Sequence, residues 1–205
     1  MSTAAEALER LRAGNLRFVA DIRGRSTSPE RRIELAAGQN PFAVVLGCSD
    51  SRVPAELVFD QGLGDLFVIR VAGNVVAPSQ VGSVEFAVER FGTRLVVVMG
   101  HTQCGAIQAT LEELERPSDS RSPNLRSIVS RIRPSVQALL STGLPHGSEE
   151  LVHQAVRANI RASVDHLRHG SELLETMIQT AGVLVVGAEY SLETGVVDFF
   201  DLGDG

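Results

Sequence analysis

The sequence predicts an α/β fold: a mostly parallel, doubly wound sheet of four strands plus an antiparallel edge strand, flanked by helices, with an N-terminal helical arm. Three observations carry this. Runs such as Ala43 to Gly47 and Leu95 to Met99 are apolar at successive rather than alternate positions, the pattern of strands covered on both faces in a parallel sheet. Stretches of helical periodicity separate those runs, and strand–helix alternation builds parallel sheets. Two short polar segments, each holding one of the two cysteines, directly follow such runs. They fall at carboxyl ends of strands, where open α/β sheets bind ligands.

In chain order, Ala4 to Ala20 reads as an amphipathic helix with Leu8, Leu11, Phe18 and Val19 roughly on one face, weakened by Gly14. It can pack on its own chain or on a partner subunit. Ser28-Pro29-Glu30 is a helix start, with serine as cap and proline in the first turn, and Gly38 is the matching stop. Ala43 to Gly47 is the first strand. Pro54 opens a short helical stretch through Phe59, and Asp60 to Asp65 is a glycine-containing turn read as a plain loop. Leu66 to Val71 is the second strand. Ser79 is expected to cap a helix with Val81, Val84, Val88 and Phe91 at core spacing, closed by Gly92. Leu95 to Met99 is the third strand, and a helix carrying Ile107, Leu111 and Leu114 follows Cys104.

Arg116 to Asn124 reads as an exposed loop. Leu125 to Leu140 is helical in pattern, with Pro134 as a kink or break. Glu149 to Arg168 is the clearest helix, with Val152, Val156, Ile160, Val164 and Leu167 on one stripe. Ser171 caps another, stopped by Gly182. Val183 to Gly187 is the fourth strand, and Glu193-Thr194-Gly195 turns the chain into an antiparallel edge strand over Val196 to Phe200.

At 205 residues the chain suits one domain, divided here into an arm over 1–40 and a metal-binding core over 41–205. A formal charge of −6 argues against a dedicated nucleic-acid binder. The apolar runs are far shorter than the ~20 residues that cross a bilayer, and Met1 to Arg12 lacks the apolar stretch of a secretory signal. The expected compartment is the cytoplasm, where cysteines stay reduced and serve as ligands or nucleophiles.

The chemistry lies in Cys48-Ser49-Asp50-Ser51-Arg52 and His101-Thr102-Gln103-Cys104-Gly105. Two thiols, an imidazole and a carboxylate make a full tetrahedral set for zinc. In an extended segment Cys48, Asp50 and Arg52 project the same way. A helix starting near His101 would put His101 and Cys104 on one face. Arg52 can draw Asp50 away from the metal through a bidentate pair. Asp50 can therefore close the site as fourth ligand or free a position for water, whose pKa on zinc falls toward neutrality. Two thiolates make the metal a weaker Lewis acid than three imidazoles do, so activity is expected to rise toward alkaline pH. Three classes fit these residues: a zinc hydratase, a thiol enzyme with Cys48 or Cys104 as nucleophile, and a non-catalytic zinc-stabilised oligomer. The C-x5-R spacing of phosphate-transferring thiol enzymes is absent, as are the paired CxxC knuckles common in structural sites. His146, His153, His166 and His169 read as surface residues.

C-x-D-x-R followed about fifty residues later by H-x-x-C-G resembles the β-class carbonic anhydrases nearly end to end. Leu66 to Arg70 with Ala72-Gly73-Asn74 is similar to that family's second strand and its exit. The resemblance implies reversible hydration of carbon dioxide to bicarbonate and a proton by zinc-bound hydroxide. It implies one zinc per chain on Cys48, His101 and Cys104, with Asp50 as fourth ligand in a closed form and Asp50/Arg52 as the dyad of the open form. It further implies substrate contacts from Gln39 and Gly105, and self-association as a dimer or tetramer. Neither nucleic acid nor membrane is expected as a partner. A relative that hydrolyses carbon disulfide shares these ligands. A bicarbonate pocket known in one bacterial subgroup needs a tryptophan, an arginine and a tyrosine. Arg70 and Tyr190 occupy two of those places, but Val45 stands at the third and the chain has no tryptophan. The inhibitory pocket is therefore expected to be incomplete, and the site mostly open near pH 8.

Overall fold

The computed structural model describes residues 2–24, 27–117 and 122–202. Strands β1 (Ala43–Gly47), β2 (Leu66–Arg70), β3 (Leu95–His101), β4 (Leu184–Tyr190) and β5 (Val197–Phe200) form one sheet in the order β2-β1-β3-β4-β5. The first four are parallel, and β5 pairs antiparallel with β4. Every residue of β1 and β3 is buried, which explains their unbroken apolar runs. The chain leaves β1 toward β2 and comes back on the other side as β3. The switch point of the sheet therefore lies between β1 and β3, where this architecture opens a crevice at the carboxyl ends.

Helices α4 (Pro78–Phe91), α5 (Gly105–Glu115), α6 (Pro123–Val136), α7 (Glu149–His169) and α8 (Glu172–Ala181) cover one face of the sheet. They bury Val44, Leu46, Val96 and Val98 against residues such as Val84, Ile107, Ile132 and Ile160. The stripe expected on α7 is buried throughout. The other face takes Val45, Val97 and Met99 against α1 (Ala4–Val19) and α3 (Ala55–Val58) through Leu8, Leu11 and Phe59. Helix α1 thus seats on its own chain, while Leu16 and Val19 remain exposed. The short α2 (Pro29–Leu35) has its expected Ser28 cap but buries nothing. No helix among the described residues is long and apolar enough to cross a membrane.

Several boundaries differ from expectation for local reasons. Ala77, not Ser79, is the N-cap residue of α4, because Pro78 already supplies a helical first position. Helix α6 starts at Pro123 under a Ser122 cap and carries Pro134 in its last turn, then tightens into a 3-10 turn over Gln137–Ser141. The expected loop at 116–124 is shortened by that start, and its residues 118–121 lie outside the described ones. Strands β3 and β4 run further than their apolar runs, so that His101 pairs with Tyr190. The Asp60–Asp65 turn is not a plain loop: Asp60 and Gln61 are buried, and Arg17 and Arg10 of α1 reach Asp60 and Asp65 at 2.6 and 3.0 Å.

That contact also accounts for Gly14. A Cβ there would strike the Phe59 carbonyl oxygen and stand 2.8 Å from Gln61 Nε2. Alanine in a helix interior ordinarily stabilises by about 1 kcal/mol over glycine, whereas forcing a group against packed backbone costs about 1–3 kcal/mol or more. The clash wins, and Gly14→Ala is expected to lower the thermal midpoint by several degrees. A raised midpoint in a melting experiment would show that α1 is not seated on Phe59.

Candidate metal centre

Cys48 is the first residue after β1, and His101 is the last residue of the neighbouring β3. Cys104 occupies the N-cap position of α5. The three side chains meet at the switch point, with their ligand atoms all within 4.8 Å of one another and all three residues buried. His101 and Cys104 do not share a helix face. A strand ends at His101, Thr102-Gln103 turns the chain, and the helix begins only at Gly105. Gln103 takes a left-handed φ of 55° to make that turn.

The histidine is oriented for a cation. His101 Nδ1 lies 2.9 Å from the Thr102 carbonyl oxygen. A carbonyl can only accept, so Nδ1 carries the proton and Nε2 presents its lone pair. Among the described residues that Nε2 is buried with no hydrogen-bond partner, an orphan that costs about 1–3 kcal/mol unless something takes it up. The thiols tell the same story. Both cysteines are free and buried. The Cys104 thiol beside it pulls Cys48 down to about 4 against the opposing effect of burial. Cys104 itself is pushed far above the ordinary thiol range by that same hydrogen bond and by burial. Two sulfurs and one imidazole nitrogen around a shared gap fit zinc, whose bonds to such ligands are about 2.0–2.3 Å.

Asp50 and Arg52 are arranged differently from a simple extended run. The chain turns at Asp50, whose Oδ1 accepts from the Arg52 backbone N–H at 2.9 Å. Arg52 folds back and donates Nε to Oδ1 at 2.9 Å and Nη2 to Oδ2 at 2.8 Å. This bidentate pair holds the Asp50 carboxyl well below the usual carboxylate range. Oδ2 stands 3.8 Å from His101 Nε2, so Asp50 borders the cluster while being held by Arg52.

The sequence marked Arg70 and Gly73 at the second strand and its exit, but not what they bind in this segment. Arg70, at the end of β2, donates Nε to the Cys48 carbonyl oxygen at 3.0 Å and Nη2 to that of Asp50 at 2.6 Å. The Gly73 backbone N–H lies 3.4 Å from Cys48 Sγ. Val45 is fully buried in the core, and Tyr190 packs its ring 6.4 Å from that of Phe18. Gly105 opens α5 with free space on its Cβ side. Gln39 is not brought to this centre. It adjoins the residues at the amino end of β1, where the Thr93 hydroxyl donates to the Pro41 carbonyl oxygen. A strand of β1's length separates that end from Cys48 by roughly 15 Å. Of the surface histidines, His153 meets the buried Glu189 at 3.1 Å.

Fold and site together define an α/β protein with a metal-capable Cys–His–Cys centre at the switch point of its sheet. The family profile described as carbonic anhydrase matches residues 43–197. Carbonic anhydrase 2 of Mycobacterium tuberculosis is 39% identical over 191 residues, covering 90% of this chain and 87% of that protein. The carbonic anhydrase of Mycolicibacterium smegmatis is 38% identical over 208 residues, covering 99% and 97%. Among solved structures, the β-carbonic anhydrase CcaA superposes with a TM-score of 0.77 at 25% identity, covering 96% of this chain and 93% of its own. The β-carbonic anhydrase CafA of Aspergillus fumigatus gives 0.75 at 27% identity, covering 86% and 83%. The chain belongs to the β-class carbonic anhydrase family, whose members catalyse zinc-dependent hydration of carbon dioxide.

Arg70 ties together the carbonyls on either side of Ser49. Removing such an outer partner of a metal site typically costs about 10–100-fold in metal affinity. Arg70→Ala is expected to weaken zinc binding by that order in a chelator competition. Arg70→Lys should recover only part of it, because an ammonium is a single point donor. Unchanged affinity in both would show that the β1 exit holds its shape without Arg70.

Proposed function

We propose that Cys48, His101 and Cys104 hold one zinc ion per chain, and that Asp50 and Arg52 serve the hydration of carbon dioxide to bicarbonate and a proton at the fourth position. The observation that carries this is the bare, buried Nε2 of His101 facing two sulfurs, with Asp50 held off by Arg52. Bound zinc supplies Lewis acidity that lowers the pKa of water toward neutrality. The chain's own groups do the rest. Both Asp50 oxygens already accept from Arg52, and Oδ2 is the one turned toward the cluster. It can accept a hydrogen bond from the attacking water and so aim the oxygen lone pair at the substrate carbon. Arg52 keeps that carboxylate ionised and in place. Because the Asp50 carboxyl is held below its ordinary range, it stays ionised across neutral and alkaline pH, and its pairing with Arg52 would be lost only as pH falls through that depressed value. The alkaline rise in activity then belongs to the water, not to Asp50.

This arrangement supports the open form near pH 8. Arg70 is engaged with two backbone carbonyls and Val45 is core, so neither completes an inhibitory bicarbonate pocket. Gly105 offers an exposed backbone next to Cys104. Gln39 sits at the far end of β1, so a substrate contact from it has to be made in the site of a neighbouring copy, in line with a dimer or tetramer. The exposed Leu16, Ile22 and Ile33 of the N-terminal segment suit such a neighbour. A reducing compartment such as the cytoplasm suits two free thiols.

Zinc content near one per chain and stopped-flow hydration of carbon dioxide test the reading together. Asp50→Asn should retain zinc and lose roughly 10² or more in kcat/KM, the scale of a positioned proton acceptor. Loss of zinc in that variant would make Asp50 an obligate ligand, and wild-type protein that binds zinc without hydrating would remove the catalytic reading.

A further inference from the structure

The loop that leaves β2 bends sharply behind Cys48. Gly73 and Asn74 are consecutive left-handed residues, with φ of 67° and 43°. Gly73 has no room for a side chain, since a Cβ would lie 2.9 Å from Ile132 Cδ1 and 3.1 Å from Ala106 Cβ. Two residues of α7, four apart and both buried, strap this bend. Asn159 Nδ2 donates to the Gly73 carbonyl oxygen at 2.8 Å, and Ser163 Oγ donates to that of Asn74 at 3.2 Å. On the other side of the same residue, the Gly73 N–H points at Cys48 Sγ. Asn159 lies beside the buried Ile160 on α7, and its Nδ2 bond to Gly73 ties that helix to the bend.

We infer that Asn159 is a positioning residue for the metal centre, acting through Gly73 to keep a backbone N–H on the Cys48 sulfur. An N–H donated to a thiolate draws electron density from it and so moderates how strongly the sulfur neutralises its metal; outer hydrogen bonds of this kind tune metal sites. A centre with two thiolates needs that moderation more than one with three imidazoles. Ser163 is the second clamp of the bend, one residue further from the sulfur.

This rests on Cys48 being a metal ligand, and the experiment separates the two. Cobalt(II) replaces zinc in the full-length protein, and the sulfur-to-cobalt charge-transfer band is recorded. Without the N–H the sulfur electrons lie higher, so Asn159→Leu is expected to move the band to longer wavelength. Asn159→Ser, too short to reach Gly73, should do the same and covers the case in which leucine prevents folding. Val156→Ala, a cavity on the same helix, should lower the thermal midpoint and leave the band in place. A band unmoved in the asparagine variants, or moved equally by Val156→Ala, overturns the inference while leaving the ligand set intact. A wild-type protein with no sulfur-to-cobalt band overturns the ligand set and the inference with it.

Discussion

The lone pair of His101 Nε2 is the constraint around which the rest of this protein is arranged. It is buried, it has no hydrogen-bond partner among the described residues, and the Thr102 carbonyl fixes the tautomer that leaves it bare. A fold tolerates such an atom where a ligand completes it. Around it stand two sulfurs that cannot both ionise unaided: one is drawn down by its neighbour and the other driven up. One cation would answer both problems, giving the nitrogen a partner and allowing the second thiol to ionise. The sheet supplies the geometry, because β1 and β3 are adjacent and parallel and so end side by side.

Two backbone bends flank the side chains of the centre. Gln103, between the two ligands of the second segment, and Asn74, behind the first, are non-glycine residues with positive φ. Such conformations cost of order 1 kcal/mol each and persist where surroundings over-determine them. Here the surroundings are specific. The Gln103 side chain donates to Glu193 at 3.2 Å, Thr102 is pinned to the Tyr190 and Leu192 backbone, and α7 holds the carbonyls of Gly73 and Asn74. The sheet thus sets where Cys48 and His101 stand, and hydrogen bonds from remote elements hold the turns that present them.

Much of this was legible in the chain, because burial on both faces leaves a plain mark. The runs at Ala43 and Leu95, the α7 stripe, and the serine caps at Ser28 and Ser171 were all readable as local physics. The three candidate ligands, two cysteines and a histidine, stood out because their types are rare and their spacing is chemical, and the fold brings them together. What local pattern could not reveal were polar residues whose partners lie far away in sequence. The ends of β3 and β4 look like loop because Gly100, His101, Glu189 and Tyr190 are not an apolar run, yet all pair within the sheet. The three-residue gap from His101 to Cys104 suits a helix face, and only the positive φ of Gln103 shows that a turn intervenes. Arg70 satisfies backbone carbonyls twenty residues or more away. Asn159 and Ser163 had one available signal: two polar residues four apart beside the apolar stripe of a helix.

The charge of the centre follows from the same residues and bears on its chemistry. With zinc held as proposed, two thiolates would formally cancel the divalent cation, and Arg52 cancels Asp50. The group as a whole is then close to neutral, although each member is charged. Carbon dioxide is uncharged and gains nothing from a positive pocket, whereas bicarbonate is an anion that a net positive pocket would retain. Such a low net charge would favour turnover over product retention, at the cost of a metal less able to acidify water than one held by neutral imidazoles. The Gly73 N–H directed at Cys48 Sγ would recover part of that loss without adding a formal charge. On the proposed ligand set, this would be a physical reason for a β2 exit built on Gly73 and strapped from behind, where a second arginine aimed at the thiolates would acidify the water but also hold the product.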